Sequence, residues 1–518
     1  MALGPTTRSF LSSIRASLEV ATSAGGTSTS AIEGAQALSS IFNLSDQQHA
    51  LIQAELAGIK TADEILADVS RILPSTSGST DLSRFAAFVA ELLAYAAVHP
   101  DVTTLIRMLA AVNKSTAGAS TAASGRIIVP WDVRAAYEAW SQVYSRAHLV
   151  FGTPESFWFN PTLRWLSETL VGLAIKSDTY LQDPKQRNAT DSASRLSKSA
   201  GLAGNDRTPA PANGQGTKRP AVMFLANQSF RAYFKLNNVR LCETVLSSVE
   251  NAIKINRQAA MDHGGGGGGG GAAGGKAGRK RGTGAVAVAA SNTATLSSAE
   301  LDELAQSGYT RADLVTYRYY LGRMRLHQHR LRGAEAELSW AFQNCTDDQP
   351  RNKRMILIYL LASAIPLGRL PQPSLLYAFD LDRQFLGVVE AFRRGAAHAT
   401  LVALDAWREW HRRRGTYLIL REKLQIGLWR NLIRRSLILS RTYLPPSTAP
   451  PNIKLSLIAA TARLAWQDER IDEADVECIT ISLIDQGYLK GYIHPDKGLL
   501  ILQRNDQLGF VNMRAVYQ

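Results

Sequence analysis

The sequence predicts a mainly α-helical protein: a superhelical stack of helical hairpins ending in a small module of two helices and a short β-hairpin. Three observations predict it. Up to about residue 445, apolar residues recur at spacings of three and four, the period of one buried helix face. Strand-like alternation is nearly absent from that region. After Leu444-Pro445-Pro446 the pattern changes to helix, helix, strand, turn, strand. The chain has 518 residues, 45% apolar and 20% charged, which excludes a chain disordered from end to end and a fibrous one. That length allows about three domains.

The N-terminus, MALGPTTRSFLSSIRASLEV, has no acid before Glu19 and lacks the apolar block of a secretory signal. It reads as an amphipathic first helix, with a mitochondrial transit peptide as the alternative. Segment 83 to 97 sets Phe85, Phe88, Val89, Leu92, Leu93 and Ala96 on one stripe. Segments 133 to 147 and 161 to 181 behave likewise, with Pro161 suited to a first helical turn. Residues 1–157 form an N-terminal helical region, and 158–182 with 221–255 the first helical repeats. Residues 183–220 are polar and rich in Ser, Ala, Pro and Gly, and read as a disordered insertion. Residues 256–300, with the glycine run Gly264 to Gly271 and the cluster Lys276, Arg279, Lys280 and Arg281, read as a second. That cluster fits a nuclear-import signal, a weak nucleic-acid tether or a solubilising tract.

Residues 301–445 continue the stack. Within them, 309 to 345 read as two helices joined by a tight turn near Arg330 to Gly333. Gly322, Ala334, Leu338 and Ala341 partly reproduce the small-residue pattern of a tetratricopeptide-type hairpin. Small side chains there let two helix backbones approach. Residues 446–518 hold the terminal module. Helices over about 452 to 466 and 473 to 486 are expected, the second with Asp472 as N-cap and Asp475 three residues on. Residues 488 to 493 alternate like a strand, 494 to 498 are turn chemistry, and Leu499 to Leu502 form a short apolar run. This is the ending of a winged-helix domain, whose second helix could lie in a DNA groove or against another protein.

Charge adds a partner class. The chain carries a formal +14, and twelve Lys/Arg against three acids between Arg393 and Arg441 account for a net +9 of it. Eleven of the twelve are arginine, which forks onto phosphate, and Trp407, Trp410, Tyr417 and Trp429 are interleaved. Arg412, Arg413, Arg414, Arg421, Arg430, Arg434 and Arg435 are the candidate nucleic-acid residues, with Lys490 and Lys497 of the wing as companions. An acidic-protein groove and a plain solvated surface remain open, since arginine stems also cover apolar faces and Trp at helical spacing often packs into a core.

Enzyme chemistry finds no support. Cys242, Cys345 and Cys478 lie far apart, with no disulfide framework and no metal-ligand spacing. Nine histidines occur; His327 and His329 are not at metal-ligand spacing with any Cys or acid on one helix face, and His99, His148 and His398 stand alone. There is no phosphate loop, no G-x-S-x-G elbow and no H-E-x-x-H. The longest apolar run, Met355 to Gly368, is shorter than the ~20 residues a membrane span needs, and Pro366 interrupts it. A soluble intracellular protein without catalysis, cofactor, metal or membrane insertion is expected.

Four blocks carry a family resemblance: AYFKLNNVRLCETVLSSVENA, NKRMILIYLLASAIPLGRLP, GTYLILREKLQIGLWRNLIRRSLIL and IDEADVECITISLIDQGYLKGYI. In this order they resemble PCI-domain proteins, in which a curved stack of helical hairpins ends in a winged helix. The narrower resemblance is to the PCI subunit of transcription-export complex 2, a nuclear mRNA-export assembly at nuclear pores. A close relative is the twelfth subunit associated with the signalosome. The resemblance covers about Trp158 to Leu502. It implies a non-catalytic scaffold that binds a Sac- or GANP-type scaffold subunit and a small acidic disordered protein shared with the proteasome lid. It also implies RNA or DNA binding by the winged helix and the basic surface, and a location in the nucleus at the pore, with some in the cytoplasm. The rival it leaves is a purely protein-binding subunit of a signalosome- or lid-like assembly. Both long insertions, Pro366, and the connector with Pro445, Pro446, Pro450 and Pro451 depart from the family pattern.

Overall fold

The computed structural model describes residues 3–22, 29–58, 61–77, 80–118, 129–209, 216–264, 306–442, 450–504 and 508–516. The chain forms two compact units, Met1–Asp313 and Leu314–Gln518.

Among its described residues, the first unit is helical apart from a two-residue strand pair, β1 (Thr76–Ser77) and β2 (Thr80–Asp81). Its helices are α1 (Pro5–Ala21), α2 (Thr29–Ile41), α3 (Asp46–Glu55), α4 (Ala62–Ile72), α5 (Ser83–Val98), α6 (Val102–Gly118), α7 (Val133–Phe151), α8 (Asn160–Leu181), α9 (Arg187–Gly204), α10 (Arg219–Lys235) and α11 (Cys242–Gly264). The stripe expected on α5 is buried: Phe85 and Phe88 meet Phe159 edge-on at 6.3 and 5.4 Å between ring centroids. Such aromatic pairs add to area burial.

Two insertions read from composition need correction. Within 183–220, residues 187–204 are the helix α9, and 219–220 already belong to α10. The reason is that α9 packs with small residues. Ala189, Ala193, Leu196, Ala200 and Ala203 are buried together with Ser192 and Ser199. Low hydropathy here marks close helix packing. A Cβ on Gly204 would stand 2.4 Å from the Ser248 carbonyl oxygen of α11, so only glycine fits. The buried Asp178 carboxylate accepts the backbone N–H groups of Ala189 (2.8 Å) and Asn188 (3.3 Å), satisfying the start of α9 from a neighbouring helix. The start given for the second insertion, residue 256, is corrected too: α11 continues to Gly264, and Asn256 is buried, accepting from Arg219 Nε at 2.7 Å. Residues 265–305, with the basic cluster at 276–281, lie outside the described residues.

The second unit is also largely helical. Its helices are α12 (Arg311–His327, whose first turn belongs to the first unit), α13 (Leu331–Asn344), α14 (Pro350–Ala364), α15 (Pro373–Ala378), α16 (Asp382–Arg394), α17 (Ala397–Ala406), α18 (Arg408–Arg412) and α19 (Tyr417–Thr442). The close approach expected of α12 and α13 is present: a Cβ on Gly322 would lie 2.5 Å from Leu338 Cγ and 3.3 Å from the Ala334 carbonyl oxygen. Gly322→Ala is therefore expected to destabilise the unit by about 1–3 kcal/mol through overpacking, read as a lower urea midpoint at unchanged m-value. The apolar run of α14 goes into the core through Ile356, Leu357, Ile358, Leu361 and Ala362. Among the described residues no single helix is long and apolar enough to cross a membrane.

The winged helix follows as β3 (Asn452–Lys454), α20 (Leu455–Trp466), α21 (Glu473–Asp485), β4 (Gly491–His494), β5 (Leu499–Leu502) and a last helical turn, α22 (Met513–Val516). The capping box of α21 is as expected, with Asp472 accepting from Asp475 N at 2.8 Å and Asp475 accepting from Asp472 N at 3.2 Å. Residues 452–454, expected as the start of a helix, are instead an edge strand. The antiparallel sheet has order β3-β5-β4, with Ile453 opposite Leu500 and Ile493 opposite Leu500 on the other side. Much of the connector, residues 443–449, lies outside the described residues. Direct contacts set the module on the stack: Trp429 stacks on Trp466 at 3.9 Å and 23°, and Ser436 Oγ donates to Thr461 Oγ1 at 3.1 Å.

Candidate nucleic-acid interface

The basic segment is contiguous in sequence but divided in space. About 26 Å of helix axis separate Tyr417 from Arg434 along α19. One group of candidates therefore sits at the corner where α18 meets α19, and the other at the winged-helix end.

At the corner, Arg412 is exposed and pairs with Glu409 at 3.1 Å. Arg413 is exposed and has no acidic partner among the described residues. Arg414 is half-buried, its guanidinium 3.8 Å over the Trp410 ring and donating to the Trp410 carbonyl at 2.9 Å. Burial is the main reason its pKa falls below the usual arginine range. Arg421 is exposed and donates to the Tyr417 hydroxyl at 3.1 Å, and that hydroxyl donates to Asp405.

Of these, Arg413 and Arg414 border a cleft of about 770 Å³ between α14 and the α17–α18 corner. Its apolar wall includes Met355, Ile358 and Trp407, and its cations are Arg354, Arg408, Arg413 and Arg414. Arg354 is fixed by donating to the carbonyls of Phe379 (2.7 Å) and Asp380 (3.1 Å). Arg354 and Arg408 are absent from the sequence-based candidates. Arg354 stands on a different helix, and no spacing rule links it to residues 408–414. The acids Asp405 and Glu409 also line the cleft.

At the other end, Arg430 is an anchor, which corrects its place among the candidate surface cations. It donates to the Val511 carbonyl at 2.7 Å and to Asn431 Oδ1 at 3.2 Å, and it lies 5.5 Å over the Phe510 ring. Burial first, and Arg434 second, push its pKa down to about 10. Arg434 and Arg435 are exposed and have no acidic partner among the described residues. Lys490 is exposed just before β4, and Lys497 is exposed in the 3-10 turn Pro495–Lys497 that follows it. Only Lys490 is on the side of the 508–511 segment, where its N–H donates to the Gly509 carbonyl at 2.7 Å.

Two expected contributors change role. Trp429, a possible stacking platform in the sequence, is covered by Trp466. The second helix of the winged helix, α21, carries Glu473, Asp475, Glu477 and Asp485 and no Lys or Arg. Four carboxylates oppose its insertion into a phosphate-lined groove. That signal was already present in the sequence. Among the described residues no group of three or more His, Cys, Asp or Glu side chains could hold a metal ion.

No protein-family model matches the chain. Curated relatives do. A 386-residue stretch is 28% identical to a PCI domain-containing protein of Schizosaccharomyces pombe, covering 72% of this chain and 75% of that protein. Over 303 residues it is 29% identical to enhanced ethylene response protein 5 of Arabidopsis thaliana, covering 58% of this chain and 60% of the other. Over 290 residues it is 31% identical to PCI domain-containing protein 2 of Danio rerio, covering 56% and 57%. In the latter two the match spans less than two thirds of the relative's length.

Proposed function

We propose, from the premise that this chain is a PCI-domain protein resembling PCI domain-containing protein 2, that it is a non-catalytic scaffold subunit of a nuclear mRNA-export assembly and binds RNA or DNA. One observation carries the nucleic-acid part. Arg434 and Arg435 are exposed without an acidic partner among the described residues, at the end of the stack against which the winged helix packs. Arginine forks match phosphate oxygens. With α21 acidic, contacts run through phosphates, which position a nucleic acid without reading its sequence. In this reading the protein partners are a Sac- or GANP-type scaffold subunit and a small acidic disordered protein shared with the proteasome lid. The working location is the nucleus at the pore, with some cytoplasmic protein.

The test is binding of the purified chain, together with its scaffold partner, to single-stranded RNA across a salt series. Affinity is expected to fall with salt at about 0.7 in log–log slope per phosphate engaged. Arg434→Glu combined with Arg435→Glu is expected to weaken binding about tenfold or more and to flatten the slope by about 1–2. Salt-independent affinity, or a double variant that binds like the parent, would remove the claim. Co-purification with signalosome subunits in place of a Sac- or GANP-type scaffold would reassign the assembly.

A further inference from the structure

We infer that the cleft between α14 and the α17–α18 corner receives one unpaired base of a single strand, with the Trp407 indole as its stacking surface. The inference rests on the nucleic-acid reading above and narrows it to single strands. The cleft, about 770 Å³, is within the ~300–1,000 Å³ of ligand sites. Three tryptophans are interleaved in the basic segment, and two are already covered. Trp410 lies under Arg414 and meets Phe385 edge-on at 5.9 Å, and Trp429 stacks on Trp466. Trp407 is half-buried in the cleft wall and has no ring partner among the described residues.

The charges around that ring suit a nucleotide. Arg413 is exposed without an acidic partner among the described residues, and Arg408 is exposed on the same rim. The two acids are already occupied. Glu409 pairs with Arg412, and Asp405 accepts the Tyr417 hydroxyl. The second oxygen of Asp405 can accept from a base N–H. An acidic peptide could satisfy the arginines but would leave the planar ring without a planar partner. A duplex cannot present a free base face, so stacking favours single strands. The site is also separate from Arg434 and Arg435, about 26 Å along α19.

The experiment measures anisotropy of a short labelled oligouridylate and of a duplex of equal length with the full chain. The single strand is expected to bind more tightly. Trp407→Ala is expected to weaken it about tenfold, at unchanged salt slope, and Trp407→Phe to restore most of the affinity. Arg413→Ala is expected to lower the slope by about 0.7. On the unaltered chain, an oligonucleotide carrying 5-iodouridine is expected to photocrosslink to Trp407, which decides the matter if Trp407→Ala does not fold. Equal affinity for strand and duplex, unchanged binding by Trp407→Ala, or crosslinks confined to the distal half of α19 would overturn the cleft while leaving the nucleic-acid reading intact. Polyglutamate displacing the strand equally from the parent and from Trp407→Ala would overturn it in favour of an acidic chain. No binding of either nucleic acid by the parent would overturn both.

Discussion

Replacing Glu335 with alanine is expected to destabilise the second unit by about 3 kcal/mol and to loosen its C-terminal helix. Glu335 on α13 is 1% exposed, which is unusual for a carboxylate. It is tolerated because two arginines converge on it, Arg369 from the loop after α14 and Arg514 from α22, the latter at 3.0 Å. Ser339 Oγ adds a hydrogen bond at 3.2 Å. The carboxylate thus joins three segments far apart in sequence. Breaking a buried ion pair costs about 3–5 kcal/mol. Both arginines are about half exposed and can rehydrate, which puts the expectation at the low end. Urea unfolding checks the magnitude, and faster amide exchange over residues 508–516 checks the location. Arg514→Ala leaves Glu335 paired with Arg369 and should cost only about 1 kcal/mol. An unchanged midpoint for Glu335→Ala would contradict the argument.

Acid should weaken the same unit through His411. This ring is fully buried, with Nδ1 3.0 Å from Thr416 Oγ1 and Nε2 donating to the Gln384 carbonyl at 3.4 Å. Burial holds its pKa down at about 4, the Gln384 carbonyl works against that, and Arg414 lowers it further. Above the ordinary histidine value of 6.5 both folded and unfolded rings are neutral, and the stabilising difference is complete. As pH falls through 6.5 the unfolded chain takes up the proton first, and stability declines until the folded ring protonates near 4. The full loss is about 3 kcal/mol, of which about 2 should be present at pH 5. Buried His49 and half-buried His148 shift in the same direction. The contribution of His411 is therefore the difference between the parent and His411→Gln, each unfolded at pH 7.5 and pH 5. Equal losses in both would rule out this ring as the cause.

Features encoded over a few residues were legible in advance. The stripe of α5 and the capping box at Asp472 follow from spacings of three or four residues, and the close contact at Gly322 from the small-residue pattern of a single hairpin. Two elements were not. Helix α9 buries alanines and serines, and its stability comes from the approach to α11 at Gly204 and from the Asp178 cap, neither visible in hydropathy. Strand β3 has three residues and exists because β5, some fifty positions later, offers it hydrogen bonds. The candidate interface behaved similarly. The sequence identified the arginines, while charge alone could not separate Arg430, held by the Val511 carbonyl, from Arg434 one turn on.

The sequence by itself determined a helical stack with a winged-helix ending and a strongly basic stretch before it, because helical periodicity, capping and net charge are local properties. Tertiary structure decided what that charge is available for. Folding tied Arg430 to the Val511 carbonyl, paired Arg412 with Glu409 and covered Trp429 with Trp466. It left Arg413, Arg434 and Arg435 exposed and brought Arg354 from a separate helix to the rim of the Trp407 cleft. The physical reason is that exposure and partnership depend on contacts between residues distant in the chain, which no window of the sequence contains.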